Sequence, residues 1–349
     1  MSEAFGVCPA NLSGNESRIT LAHGEGGRLT RSLVKGRICP LLGIPAEGDL
    51  PDAATLPPTA GRLAFTTDSY VVSPLFFPGG DIGKLAVYGT TNDLAVSGAI
   101  PRWLSFSLII EEGLAWDVLE KVLRSVAAAA AEAGVTVVAG DTKVVPRGAA
   151  DGLFINTSGI GLHPGPEPPG PSAIVPGDEL LVSGDIARHG IAVLAARESM
   201  GIDPPPTSDC GSLIPAVEAI RREGLRPRAM RDATRGGVGA VLHEWAAASG
   251  TTLCVDESAL PVADEVSAVC ELLGLDPLHV ANEGTMLIAV PAGSGDAVSA
   301  ALRRSGAAPS ARRVGQAMER RIAPVLVRRG LGRDVPLDEP LGAPLPRIC

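Results

Sequence analysis

Nine consecutive residues near the middle of the chain, His163-Pro164-Gly165-Pro166-Glu167-Pro168-Pro169-Gly170-Pro171, constrain its fold more than any other stretch. Proline removes a backbone donor and fixes φ, while glycine adds freedom, so this run supports neither a helix nor an inner strand. It separates two segments of similar size, and 349 residues leave room for a core in each. The chain therefore reads as an N-terminal segment at 1–44, a first domain at 45–163, a linker at 164–176, a second domain at 177–330 and a mobile tail at 331–349.

Periodicity fills in both halves. Before the linker, 62–67, 104–110, 135–139 and 153–161 read as strands. Between them, 116–133 reads as a helix with Leu119, Val122, Leu123 and Val126 on one face and Gly134 at its C-terminal cap. After the linker, 179–183, 251–255 and 285–290 read as strands, and 236–248, 263–273 and 296–304 as helices. Strands and helices mix in both halves, which predicts an α/β or α+β unit in each.

Charge and composition exclude several function classes. The net charge of −9, with no compensating basic run, argues against a nucleic-acid surface. No uninterrupted apolar stretch approaches membrane-spanning length, and Met1-Ser2-Glu3-Ala4-Phe5 does not resemble a signal peptide, so the cytoplasm is expected. The six cysteines form no CxxC pair and the five histidines are scattered, which disfavours a structural zinc site.

Several segments have the look of phosphate or metal chemistry. Gly79-Gly80-Asp81-Ile82-Gly83-Lys84-Leu85 resembles a phosphate loop, but Pro78 and Leu85 stand where glycine and Ser or Thr are required. Asp52, Asp68, Asp93 and Asp141 each sit near the end of a strand or turn. Carboxylates from separate elements can jointly hold Mg²⁺, although any one of them is equally an ordinary cap. The glycine-rich turns His23-Gly24-Glu25-Gly26-Gly27-Arg28 and Arg231-Asp232-Ala233-Thr234-Arg235-Gly236-Gly237 each lead into a helical stretch, where backbone amides favour an anion. The sequence ends on Leu341-Gly342-Ala343-Pro344-Leu345-Pro346-Arg347-Ile348-Cys349. Its prolines keep the tail extended and its terminal thiol is suited to a carrier; an incidental cysteine on a frayed end is the plainer reading.

Taken in order, these stretches resemble one family, the HypE-type hydrogenase maturation proteins. That family lies within the superfamily of aminoimidazole ribonucleotide synthetase and selenophosphate synthetase. The resemblance is carried by 23–27, Thr67-Asp68-Ser69-Tyr70-Val71-Val72, 76–84, Asn92-Asp93-Leu94-Ala95, Gly140-Asp141-Thr142-Lys143-Val144-Val145, 231–237, Ala281-Asn282-Glu283-Gly284 and Pro346-Arg347-Ile348-Cys349. Pro51 stands before Asp52 where many superfamily members carry a second acid.

The resemblance implies a two-domain α/β (α+β) fold of the aminoimidazole-ribonucleotide-synthetase type, whose first domain binds ATP and dimerises. It also implies a carbamoyl dehydratase. A HypF partner would load a carbamoyl group onto Cys349, and an ATP-dependent dehydration would turn the S-carboxamide into a thiocyanate. The cyano group would then pass to a HypC–HypD complex as a ligand of [NiFe]-hydrogenase iron. By the same resemblance Glu283 is the general base and Lys143 its partner, Cys349 being the carrier. Asp68, Lys84, Asn92, Asp93, Gly140, Asp141 and Thr142 hold the nucleotide, and Asp52, Asp68, Asp93 and Asp141 hold Mg²⁺. Phosphorylating an amide oxygen makes it a leaving group, and that step needs cationic donors and a base within reach. Two alternatives stand beside this one: a selenophosphate-synthetase-like kinase, whose reactive residue is missing from 23–28, and a non-catalytic cyano-carrier scaffold.

Overall fold

Alternation builds the first sheet. In the computed structural model, which describes residues 17–25, 27–45, 53–339, 345 and 348, the N-terminal segment forms α1 (Gly27–Leu33) and α2 (Cys39–Leu41). Strand β1 (Arg62–Tyr70) and the ribbon of β2 (Phe76–Phe77) with β3 (Gly80–Asp81) follow. Helices α3 (Ile82–Val96) and α4 (Trp116–Ala133) and strands β4 (Ile100–Glu111), β5 (Thr136–Val145) and β6 (Leu153–His163) complete the domain. The sheet order is β1-β6-β4-β5, with β4 and β5 parallel and the other pairs antiparallel. On β4, Leu104, Phe106, Leu108 and Ile110 point inward. They join Leu119, Val122, Leu123 and Val126 of α4 in one core, as period-2 and period-3.6 patterns require. Gly134 caps α4 in the left-handed region at φ 67°.

The strand expected to stop at 139 runs on to Val145. Gly140 and Asp141 look like breakers, yet the parallel ladder continues through them, pairing Asp141 with Ser107 and Lys143 with Ile109. Residues 140–143 therefore belong to an exposed edge strand.

The second domain contains β7 (Glu179–Val182), α5 (Arg188–Arg197), α6 (Ile214–Arg222), β8 (Ala229–Asp232), α7 (Gly237–Ser249) and β9 (Thr252–Asp256). It continues with α8 (Asp264–Leu273), β10 (Met286–Val290), α9 (Gly295–Arg304), β11 (Arg312–Met318), β12 (Val325–Arg329) and β13 (Arg333–Pro336). The sheet order is β13-β12-β9-β11-β7-β10-β8. Strand β10 is buried throughout because both faces are covered: Leu287 and Ala289 meet Val241, Leu242 and Trp245, whereas Met286, Ile288 and Val290 meet Val217, Ile220 and Leu302. The tail reading that began at 331 is corrected here. Strand β13 pairs with β12, and Leu337 is buried behind it, so the sheet reaches into that segment.

Helix α3 joins the two domains. Nearly all of it is buried, which leaves no polar face and explains why periodicity does not reveal it. The Asp81 carboxylate caps it, accepting from Gly83 N at 2.8 Å and Lys84 N at 3.1 Å, so the phosphate-loop look-alike is an N-terminal cap. No described helix is long and apolar enough to cross a membrane.

Leu123 is fully buried between α4 and the sheet. Leu123→Ala is expected to cost about 2–5 kcal/mol, read as a lower urea midpoint. An unchanged midpoint would contradict this packing.

Candidate active site

Elements from both domains converge on one cleft. The end of β1 supplies Asp68, Ser69 and Tyr70, and α3 supplies Gly89 and Asp93; across from them stand Asp232, Thr234, Arg235 and Glu283. Four carboxylates thus face a cavity in which Arg235 is the single cation among the lining residues. Thr66 Oγ1 donates to Asp93 at 2.8 Å, and Thr90 Oγ1 donates to Asp68 at 3.3 Å. Behind them the Tyr70 hydroxyl, Thr90 and Thr157 form a buried chain, 3.2 Å and 2.6 Å between oxygens.

Crowding of like charge shows in the acidities. Burial, and then the charge of Asp93, pushes the Asp68 carboxyl up to about 6. Burial followed by Asp93 pushes Asp232 up to about 7. Glu283, only 3% exposed, is raised well above the usual carboxylate range by burial, then by Asp232 and Asp209.

The backbone around Glu283 is held from both domains. The Asp209 carboxylate accepts from Glu283 N at 3.1 Å and Gly284 N at 3.0 Å. Gly284 lies so close that a Cβ there would fall 1.9 Å from the Asp209 carbonyl oxygen, so no other residue fits. On the other side, Asn92 Nδ2 donates to the Glu283 carbonyl at 3.2 Å and the Gly211 carbonyl at 3.0 Å. Its Oδ1 accepts from Leu213 N at 2.7 Å. Next to Glu283, Asn282 Oδ1 accepts from Ala187 N at 2.7 Å.

Beyond residue 339, Leu345 and Ile348 are described, and both are buried in the core that contains Ala187, Ile191, Val280 and Ala281. The Ile348 carbonyl accepts from His189 Nε2 at 2.5 Å within the same chain. Cys349 and Asp52 lie outside the described residues.

Comparison with known proteins decides the family. The family profiles for AIR synthase related protein, N-terminal and C-terminal domains, match residues 50–163 and 175–326. The carbamoyl dehydratase HypE of Escherichia coli (strain K12) is 47% identical over 339 residues, 95% of this chain and 100% of that protein. The chain belongs to the HypE family of carbamoyl dehydratases. A crystal structure of HypE in complex with ATP superposes with a TM-score of 0.87 at 42% identity, covering 95% of this chain and 99% of that one. A HypE–HypF complex superposes with a TM-score of 0.77 at 41% identity over 80% of this chain and 90% of that one.

The fold of this HypE-family chain gathers only some of the residues singled out by sequence. Asp68, Asp93 and Glu283 converge. Asn92 is adjacent, and its side-chain amide bonds to backbone, holding the Glu283 loop. Lys84 lies beside Asp81 and within electrostatic reach of the Cys210 thiol. Gly140, Asp141, Thr142 and Lys143 stand apart. Asp68 pairs with Thr157, Thr157 with Phe106, and Phe106 with Gly140. Three ladder steps amount to about 14 Å. Lys143 Nζ instead meets Asp141 at 3.5 Å on the exposed edge. The structure adds Asp232 and Arg235, both within the anion-binding segment noted at 231–237, and Asp209, which carries no sequence signal.

Hard oxygen donors in excess of cations suit a divalent ion such as Mg²⁺. Among the described residues, however, no three His, Cys, Asp or Glu side chains already converge as a cage. The folded protein keeps protons on Asp68 and Asp232 where the unfolded chain has lost them, so the cation-free fold loses stability as pH rises from about 4 towards 7. A cation must displace those protons, so its binding strengthens over the same interval. The rise in melting temperature on adding MgATP is expected to grow between pH 5.5 and 8. A rise independent of pH would contradict this picture of the cluster.

Proposed function

We propose that this protein dehydrates a carbamoyl group carried on Cys349, using ATP to convert the S-carboxamide into a thiocyanate. The product supplies the cyanide ligand of [NiFe]-hydrogenase iron. The observation that carries the reading is Glu283, a carboxylate buried in an acid-rich cleft and made strongly basic by that burial. Its loop is held rigid by Asp209 and Asn92. Removing protons from an amide nitrogen requires such a base.

The chemistry balances without an outside oxidant or reductant. The carboxamide oxygen attacks the γ-phosphorus of ATP, ADP leaves, and one N–H proton is lost to Glu283. The C–O bond then breaks, and the departing phosphate takes the second N–H proton with it as C≡N forms, leaving as hydrogen phosphate. Asp68, Asp93 and Asp232, which line the cleft together, would hold Mg²⁺, and the ion would neutralise phosphate charge there. Arg235 adds a permanent positive charge at the same place.

The functional unit is a homodimer. Leu63 is 60%, Phe65 68% and Ile109 41% exposed, and all three belong to strands of the first sheet, whose inner face packs on α3 and α4. Pairing of these sheets would bury that apolar surface. It would also carry the edge strand β5 of a second copy, with its Gly140, Asp141, Thr142 and Lys143, towards the Asp68 cluster that β5 of the same chain does not reach. A HypF-type carbamoyltransferase loads Cys349, and a HypC–HypD complex receives the cyano group, in the cytoplasm. The loading step finds support in the crystallised HypE–HypF complex of the relative.

Two measurements test this reading. Glu283→Gln is expected to bind MgATP as the parent does and to lose nitrile formation by at least 100-fold; nitrile formation at the parental rate would remove Glu283 as the base. Phe65→Asp is expected to shift the protein from dimer to monomer in sedimentation and to abolish turnover. A wild-type monomer with full turnover would sink the dimeric site.

A further inference from the structure

The end of the tail is tied to the same short segment that pins the base. His189, on the first turn of α5, is fully buried and touches Phe77 edge-on at 5.3 Å between ring centroids. Its Nε2 meets the Ile348 carbonyl at 2.5 Å, and its Nδ1 meets Ser208 Oγ at 2.9 Å. Ser208 Oγ in turn accepts from Cys210 N at 3.0 Å. A carbonyl oxygen can only accept, so Nε2 must carry the hydrogen. Burial holds the imidazole below its usual range and therefore neutral. Nδ1 is then bare and accepts the Ser208 hydroxyl hydrogen. One directed chain results, running Cys210 N–H to Ser208, Ser208 O–H to His189, and His189 N–H to Ile348.

Between Ser208 and Cys210 stands Asp209, whose carboxylate holds Glu283 N and Gly284 N. Gly190, the neighbour of His189, donates its N–H to the Ala281 carbonyl at 3.0 Å, two residues before Glu283. The penultimate residue of the tail and the loop of the base thus share their supports on both sides. A buried histidine filling a core needs only satisfied nitrogens. This one takes its second partner from a residue 159 positions away, next to the last residue of the chain.

We propose that His189, oriented by Ser208, is a positioning residue that latches the Ile348 carbonyl and so presents the group on Cys349 to Glu283. Leu345 and Ile348 supply apolar anchorage, and the hydrogen bond sets how far the tail enters. The presentation step rests on the dehydration reading above, whereas the docking of the tail does not.

The test uses the full-length protein and two readouts. One is the rate at which N-ethylmaleimide alkylates Cys349, followed by mass spectrometry of the C-terminal peptide. The other is single-turnover conversion of carbamoylated Cys349 with MgATP, alongside calorimetric MgATP affinity. In His189→Leu, alkylation is expected to be about tenfold faster and conversion about tenfold slower, at unchanged MgATP affinity. His189→Gln retains an N–H donor and recovers part of both changes. Ser208→Ala leaves the ring in place without its orienting hydroxyl and moves both rates in the same directions by a smaller factor. Rates in His189→Leu within twofold of wild type overturn the latch; if that variant does not fold, unchanged rates in Ser208→Ala do so. Faster alkylation with unaltered conversion also overturns the positioning role. Faster alkylation in the variants, with no conversion even in wild type, supports docking and faults the dehydration reading instead.

Discussion

One buried amide, Asn92, holds the two halves of the site in register. It sits in α3 of the first domain, and each of its hydrogen bonds ends on backbone of the second: the carbonyls of Gly211 and Glu283 and the amide of Leu213. A primary amide with both ends satisfied costs nothing in buried polarity, whereas one left unpaired costs about 1–3 kcal/mol. The bonds therefore form together or are lost together, which makes the domain contact specific. Asp68 and Asp93 come from one side and Asp232, Arg235 and Glu283 from the other, and this contact sets their spacing.

The cluster so assembled works against the stability of the fold that holds it. Burial and then the neighbouring carboxylates make Asp68, Asp232 and Glu283 weaker acids, and Glu283, the most deeply buried of the three, is raised well above the usual carboxylate range. That arrangement suits a site that receives a cation together with phosphate groups, since the preformed part need not be a closed cage. It also suits the base that the proposed dehydration requires. The same desolvation that makes Glu283 reluctant to ionise makes it a strong acceptor once it has done so.

Much of this was legible where local physics decides. The linker run of prolines, the apolar stripe of α4 and its Gly134 cap all follow from backbone and side-chain preferences that hold without tertiary context. The residues that failed to announce themselves are those whose role depends on long-range packing. Helix α3 is buried on every side, so it lacks an amphipathic signal and its Asn92 and Asp93 read as a turn. Gly140 and Asp141 look like the end of a strand, but the ladder with β4 carries β5 through them to an exposed edge. Strand β13 is short and charged, and only its pairing with β12 makes it a strand. Asp209 has no motif around it; its importance arises because a distant Glu283-Gly284 backbone folds onto it. At the tail, proline content predicts extension but not the burial of Leu345 and Ile348.

The most direct measurement is the mass of the C-terminal peptide after the carbamoyl-donating partner has loaded Cys349. MgATP and a non-hydrolysable analogue would be compared in parallel. The account predicts a carbamoyl adduct that loses one water with MgATP and keeps it with the analogue. An adduct that persists unchanged with MgATP, in protein shown to bind the nucleotide, would contradict it and leave the chain a carrier without dehydratase chemistry.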